Sequence, residues 1–353
     1  MFGNTSPAKS TASPSPKPIR IRRTARPQRL ILMGTGPFAV PAFDALRQCG
    51  HEIALVVTRP VIVTKSRKGP PPSPVREFAL SHGFEIFDPE SINTPESVAM
   101  LAGQRAALLV VCDYGQILSR EALATTPMGG INLHGSLLPA YRGAAPVQWA
   151  VIHGDQVAGV SIIHMTPRLD GGPILATAEI DVDPTDTAGS LESKLSRLGV
   201  EPTVESVELL AAWDQTSPIG VPQDASKISR APRLSKASGE IDWTRTAVEI
   251  DCHVRGMHPW PGAFTDVRVA GDKPLVRVAV RHVTMVAPAQ PIVFPPGVIA
   301  DESAMVITTG PVDSSGNATG MVRIERLQPA GRNEMTGTEF IRGHRLKCGT
   351  SLV

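Results

Sequence analysis

The chain has 353 residues, 42% hydrophobic and 19% charged, a composition of ordinary globular proteins and a length that accommodates two domains, each with its own core. No apolar run approaches the roughly 18 residues that a membrane-spanning helix requires, so an integral membrane protein is not expected. Cys49, Cys112, Cys252 and Cys348 are scattered, with no CxxC pair and no His at zinc spacing; the expectation is free thiols in a reducing compartment and no metal.

The net charge of +2 conceals an asymmetry. Residues 1–30 carry seven basic groups and no acid, residues 31–226 hold 12 basic and 21 acidic residues, and residues 227–353 hold 16 basic and 12 acidic. An acidic front half joined to a basic back half suits an enzyme that grips a polyanion, and equally an ordinary solvated surface. Residues 1–28, rich in Ser, Pro, Lys and Arg, read as a disordered basic tail. They lack the apolar stretch of a secretory signal. Their prolines argue against the amphipathic helix of an organelle transit peptide, the one feature that would move the protein from the cytoplasm to an organelle matrix.

From Arg29 onward the pattern is regular. Arg29 to Gly34 predicts a buried strand, Phe38 to Cys49 a helix, and Glu52 to Thr58 a second strand. Ala106 to Cys112 and Gly130 to His134 predict two more buried strands, and Val160 to Met165 and Thr177 to Asp183 further ones. Ser190 to Trp213 has helical periodicity. Apolar strands alternating with helices imply a mostly parallel sheet covered on both faces, a Rossmann-like α/β domain over 29–213. Residues 214–236 read as a linker. The short Val/Ile-rich runs within 237–353, separated by Gly, Pro, Asp and Ser, predict a small antiparallel, OB-like β-barrel.

Three features compete to carry chemistry. Gly34-Thr35-Gly36-Pro37-Phe38-Ala39, between strand and helix, matches the GxGxxA dinucleotide fingerprint, and Arg59 after the second strand suits the 2′-phosphate of NADP; the alternative is a plain tight turn. Asn132 and His134 alternate along a strand and so share one face, where an amide beside an imidazole suits a developing oxyanion. Asp170, ahead of Gly171 and Gly172, sits on a sharp turn. Spacing alone does not bring Asp170 to His134.

The run Asn132-Leu133-His134-Gly135-Ser136-Leu137-Leu138-Pro139-Ala140-Tyr141-Arg142-Gly143-Ala144-Ala145-Pro146 resembles the signature loop of the 10-formyltetrahydrofolate-dependent formyltransferases. Leu169-Asp170-Gly171-Gly172-Pro173-Ile174 resembles their acid motif, and Tyr114-Gly115-Gln116-Ile117-Leu118 their folate-site segment. Gly143-Ala144-Ala145-Pro146, Leu234-Ser235-Lys236, Ile241-Asp242-Trp243, Arg255 to Phe264 and Leu327 to Arg332 point to the branch that acts on methionyl-tRNA. The likeness runs from about Leu30 to the C-terminus.

The resemblance implies Asn132, His134 and Asp170 as the catalytic trio, with a protonated His134 and Asn132 as oxyanion donors and Asp170 supporting the imidazolium. It places folate at Tyr114, Gly115, Gln116, Ile117, Leu118, Ser136, Leu137, Leu138 and Pro139. It implies tRNA contacts at Arg67, Lys68, Arg142, Arg233 and Lys236, 10-formyltetrahydrofolate as formyl donor with tetrahydrofolate as product, initiator methionyl-tRNA as partner, and a monomer. Three positions depart from the family pattern: Ala140 replaces a basic residue, Asp113 replaces a small one, and Ser66 stands where an arginine is expected to touch tRNA, Arg67 being its nearest substitute. A formyltransferase acting on a small amine, an NADP oxidoreductase and a non-catalytic tRNA-binding module are the competing readings.

Overall fold

The computed structural model describes residues 23–61, 73–269 and 275–353. The first part of the chain runs β1 (Arg29–Gly34), α1 (Val40–Gln48), β2 (Glu52–Val57), α2 (Pro74–His82), β3 (Ile86–Phe87), α3 (Pro95–Gly103), β4 (Leu108–Cys112), α4 (Arg120–Leu123) and β5 (Gly130–His134). It continues through β6 (Arg142–Gly143), α5 (Pro146–His153), β7 (Val157–His164), β8 (Ile174–Asp181), α6 (Ala188–Leu198) and α7 (Val200–Ala211). Seven of these strands form one sheet in the order β3-β2-β1-β4-β5-β7-β8, parallel from β3 to β5 and antiparallel at β7 and β8. Its central strands are apolar on both faces because helices cover both: Leu30, Leu32, Val56, Leu108 and Val110 pack into one layer, and Ile31, Met33, Leu55, Leu109 and Val111 into the other.

Between β1 and β4 the order of the strands reverses. There, neighbouring crossovers leave toward opposite sides and open a crevice at the C-terminal strand ends. The predicted helix over Ser190 to Trp213 is two helices abutting at Gly199. Pro202 lies in the first turn of α7, where its missing N–H is harmless, whereas mid-helix it would leave a carbonyl unbonded.

Residues 23–28, expected as the end of a disordered tail, are described and bonded to the first domain. Thr24 N–H donates to the Cys49 carbonyl (2.9 Å) and Gln28 N–H to His51 Nδ1 (3.1 Å), which ties residues 24–28 to the start of β2. Residues 214–236 are likewise bonded to the first domain. A short strand β9 (Arg230–Ala231) pairs in parallel with β6, and Val221 exchanges backbone bonds with Ile174.

The second domain begins with α8 (Ala247–Gly256), followed by β10 (Ala263–Val267), β11 (Val276–Val286), β12 (Ile299–Asp301), β13 (Val306–Val312), β14 (Ala318–Pro329), β15 (Met335–Thr336) and α9 (Gly337–His344). The antiparallel order is β10-β11-β14-β13-β12. The chain terminus closes it: Asp266 and Val353 exchange backbone bonds at 3.0 and 2.7 Å, and Leu352 N–H donates to Gly297 O at 2.7 Å, so residues 350–353 bridge the two edges. Closure removes the open edges that would otherwise pair with other chains. The domains meet through α5 and α8, with Arg255 Nη1 donating to the Asp186 carbonyl (2.9 Å).

α9 stoppers the barrel. Its capping box, Thr336 with Glu339, satisfies the first-turn donors, and Phe340 and Ile341 enter the core beside Leu327 and Ile324. Phe340 is 1% exposed, so Phe340→Ala is expected to lower stability by about 3–5 kcal/mol. Urea unfolding checks this; a loss under about 1 kcal/mol would show that α9 is not part of the core.

Candidate active site

β5 delivers the first two groups. Paired with β4 on one side and β7 on the other, it carries Asn132 and His134 on the same face at the crevice end of the sheet. Asn132 is half-buried and His134 is 6% exposed. His134 Nε2 lies 2.9 Å from the Tyr141 carbonyl. A carbonyl only accepts, so Nε2 carries the proton and Nδ1 is the free ring atom. Nδ1 faces Asp170 Oδ1 at 3.8 Å. That is too long for a direct hydrogen bond and fits two groups that share a third atom between them.

Asp170 is held from three directions. Its backbone adopts a left-handed conformation (φ +48°), which Asp tolerates better than most residues. Its Oδ2 accepts the Gly143 N–H at 2.8 Å, and its side chain is 8% exposed. Gln223 Nε2 donates to the carbonyls of Asp170 (2.8 Å) and Gly172 (2.7 Å), and Arg142 in turn holds Gln223 Oε1 through Nε (3.1 Å) and Nη2 (2.6 Å). Gly172 leaves room for the His164 carbonyl, which any Cβ there would strike. Asn132, His134 and Asp170 thus meet on one cavity of about 490 Å³. Nothing in the sequence pattern singled out Gln223, a polar residue in a segment without periodicity.

Tyr114, Gly115, Gln116, Ile117 and Leu118 line the same cavity. Tyr114 is buried and its hydroxyl has no partner among the described residues; burial pushes that hydroxyl up to about 12, against the opposing pull of Arg59. Gln116 is occupied structurally: its Oε1 accepts the Ile92 N–H at 2.9 Å. Ser136, Leu137, Leu138 and Pro139, expected at the folate site, lie outside this lining. Ser136 Oγ donates to the Ala140 carbonyl (2.6 Å), and Ser161 Oγ both donates to the Ser136 carbonyl and accepts the Leu138 N–H, so this segment builds the loop that carries Tyr141.

Of the residues expected to touch tRNA, Arg67 and Lys68 lie outside the described residues. Arg142 is engaged by Gln223, Arg233 is exposed and lines the cavity, and Lys236 is exposed on the linker. The glycine fingerprint is a tight turn. A Cβ on Gly34 would sit 2.7 Å from the Cys112 carbonyl, and Gly36 packs against the Asp113 carboxylate. A pyrophosphate at Gly36 would meet negative charge there, which removes the basis for a dinucleotide site.

Residues 28–207 match the family described as "Formyl transferase", and residues 233–345 match "Formyl transferase, C-terminal domain". A methionyl-tRNA formyltransferase of Rhodopirellula baltica is 53% identical over 342 residues, covering 94% of this chain and 98% of its own. The chain belongs to the methionyl-tRNA formyltransferase family. A second relative of that name, from Gluconobacter oxydans, is 38% identical over 92% of this chain and 100% of its own. Two solved structures share the fold at low identity: the sugar 3N-formyl transferase WlaRD (TM-score 0.57, 15% identity, 88% of this chain, 100% of that one) and Aquifex aeolicus HypX in complex with tetrahydrofolic acid (TM-score 0.54, 14%, 91% and 48%).

Two further carboxyl groups, Asp113 and Glu192, line the cavity wall. Asp113, just past β4 and also left-handed (φ +49°), is exposed where it opens onto the cavity. Partial desolvation by the surrounding protein raises its carboxyl, while the Gly36 N–H and Arg233 pull it back down. Glu192 on α6 is raised by burial and then by Asp113. A carboxyl raised in the folded state stabilises below its unfolded-state value and progressively loses that contribution as pH rises through the folded value. Asp113→Asn, which keeps an oxygen for Gly36, is therefore expected to gain melting temperature on the unaltered protein between about pH 4 and pH 8, the gap closing near pH 4. Melting curves across that range check it; a gap independent of pH would contradict it.

Proposed function

We propose that the chain transfers the formyl group of 10-formyltetrahydrofolate to the free α-amine of methionyl initiator tRNA. The observation that carries this reading is the pairing of His134 and Asp170 beside Asn132 at the crevice end of the sheet, within a chain of this family.

In this reading the amine lone pair attacks the formyl carbon, the new N–C bond forms, and the carbonyl π electrons move onto oxygen. Asn132 and His134, the latter carrying a proton on Nδ1 as well as Nε2, face that oxygen as donors, in a cavity where a fixed donor is worth more than in water. The attacking nitrogen carries a surplus proton. Asp170, its Oδ2 anchored on Gly143 and its Oδ1 free toward His134, is placed to help take it, directly or through a water. Collapse of the intermediate breaks the bond from carbon to N10, and N10 gains the proton. Tyr114 to Leu118 form the folate wall, and the product tetrahydrofolate leaves by the same opening.

The acceptor stem would lie along Arg233, Lys236 and the basic second domain. The four cysteines are free thiols, and no described helix is long and apolar enough to cross a membrane; both fit a cytoplasmic enzyme, which we read as a monomer.

The direct test supplies charged initiator tRNA and labelled formyl folate and looks for formylmethionine on the tRNA. His134→Ala should reduce kcat by about 100-fold or more, the effect of losing an oxyanion or acid–base group; near-normal turnover would refute its role. The KM for tRNA should rise steeply between about 50 and 200 mM salt through counterion release, and a flat response would exclude the basic face as the tRNA surface.

A further inference from the structure

The catalytic cavity has a neighbour. A hollow of about 300 Å³ is lined by Ala144, Ala145, Gln148, Arg233, Leu234 and Trp260, and it shares Ala144, Gln148 and Arg233 with the cavity that holds the catalytic trio. The two spaces therefore adjoin, the first formed by the first domain and Arg233 of the linker, the second reaching the loop that follows α8.

Trp260 differs from the other three tryptophans. Trp149, Trp213 and Trp243 each donate their indole N–H, to the Pro232 carbonyl, the Ser217 carbonyl and Thr265 Oγ1 respectively. Trp260 is 53% exposed and makes no hydrogen bond among the described residues. Exposing a large flat aromatic forgoes burial that folding would otherwise gain. The exposure is not slack. Pro259 and Pro261 fix the backbone on either side, Gly262 N–H donates to the Met257 carbonyl (2.8 Å), and the His258 carbonyl accepts the Gly189 N–H (3.1 Å) from α6. The ring is held by a stiff loop at the mouth of the cleft, with an arginine in the same hollow.

We propose that Trp260 is the stacking platform for the terminal base of the acceptor's single-stranded 3′ end, with Arg233 on the adjoining phosphate. The inference rests on the reading that the acceptor is an aminoacyl-tRNA. An aminoacyl group is esterified to the ribose of the last nucleotide, so an amine at Asn132 and His134 obliges that ribose and its base to lie just outside the catalytic cavity. The adjoining hollow is that place. An exposed aromatic beside a cation is the chemistry that binds an unpaired base and its backbone.

The test uses the full chain and initiator tRNA carrying 2-aminopurine as its last base, whose fluorescence falls when it stacks. The unaltered protein and Trp260→Phe should quench it, and Trp260→Ala should not. With methionyl-tRNA, Trp260→Ala should raise KM by about tenfold while kcat stays within about twofold, the range for losing one base–aromatic stack. The KM for formyl folate should be unchanged, which also certifies the variant's fold. Should the alanine variant misfold, Trp260→Leu keeps apolar bulk without a flat face and takes its place in the comparison. If the unaltered protein forms no formylmethionyl-tRNA, the underlying reading falls and the inference with it. If it does, and the alanine or leucine variant matches it in KM and quenching, or raises KM for folate instead, the inference alone falls.

Discussion

Asp170 has two carboxylate oxygens and uses them in different directions. Oδ2 accepts the Gly143 N–H, and Oδ1 faces His134. Its backbone carbonyl, shared through Gln223 with that of Gly172, ties the same turn to the linker. One residue thus joins the loop after β5, the turn between β7 and β8, and the segment leading to the second domain. A buried carboxylate persists only where donors meet it, so the loop carrying Gly143 and the turn carrying Asp170 must arrive together. The His134 ring is oriented by the same loop, through the Tyr141 carbonyl.

The parallel sheet explains why these groups arrive where they do. β1, β4 and β5 end at one edge, and the reversal of strand order between β1 and β4 opens the crevice there. Gly34, Asp113 and His134 are the residues at or just past those three ends. β7 runs antiparallel to β5 and ends at His164, opposite Ile131, so the turn after it doubles back along the sheet for Asp170 to reach His134. The barrel contributes from outside: α8 packs on α5, and the loop after α8 sets Trp260 at the margin of the cleft.

The acidic pair of Asp113 and Glu192 gives this chain's cavity a polarity that a small residue at 113 would not. The Asp113 carboxylate lies against Gly36, where a dinucleotide phosphate would have to sit, and Arg233 of the linker lowers that carboxyl through its charge. With that carboxylate against Gly36, a dinucleotide phosphate would meet negative charge at the turn.

Much was legible in the sequence because it is local. Strand and helix periods, the shared face of Asn132 and His134, and the Gly-rich turn at Asp170 follow from side-chain alternation and backbone sterics over a few residues. The near-continuous apolar runs of β1 and β4 declared a sheet covered on both faces. What lay beyond it was contact across long separations. The 3.8 Å approach of His134 to Asp170 spans 36 residues, and the bond from Gln223 to Asp170 spans 53. The ordering of the linker through β9, the closure of the barrel by residues 350–353, and the tying of Ser136 and Leu138 to Ser161 are of the same kind. Hydrogen bonds and packing act in space, not along the chain; the sequence by itself determined which groups were available and on which local face, and only the tertiary structure decided which of them meet.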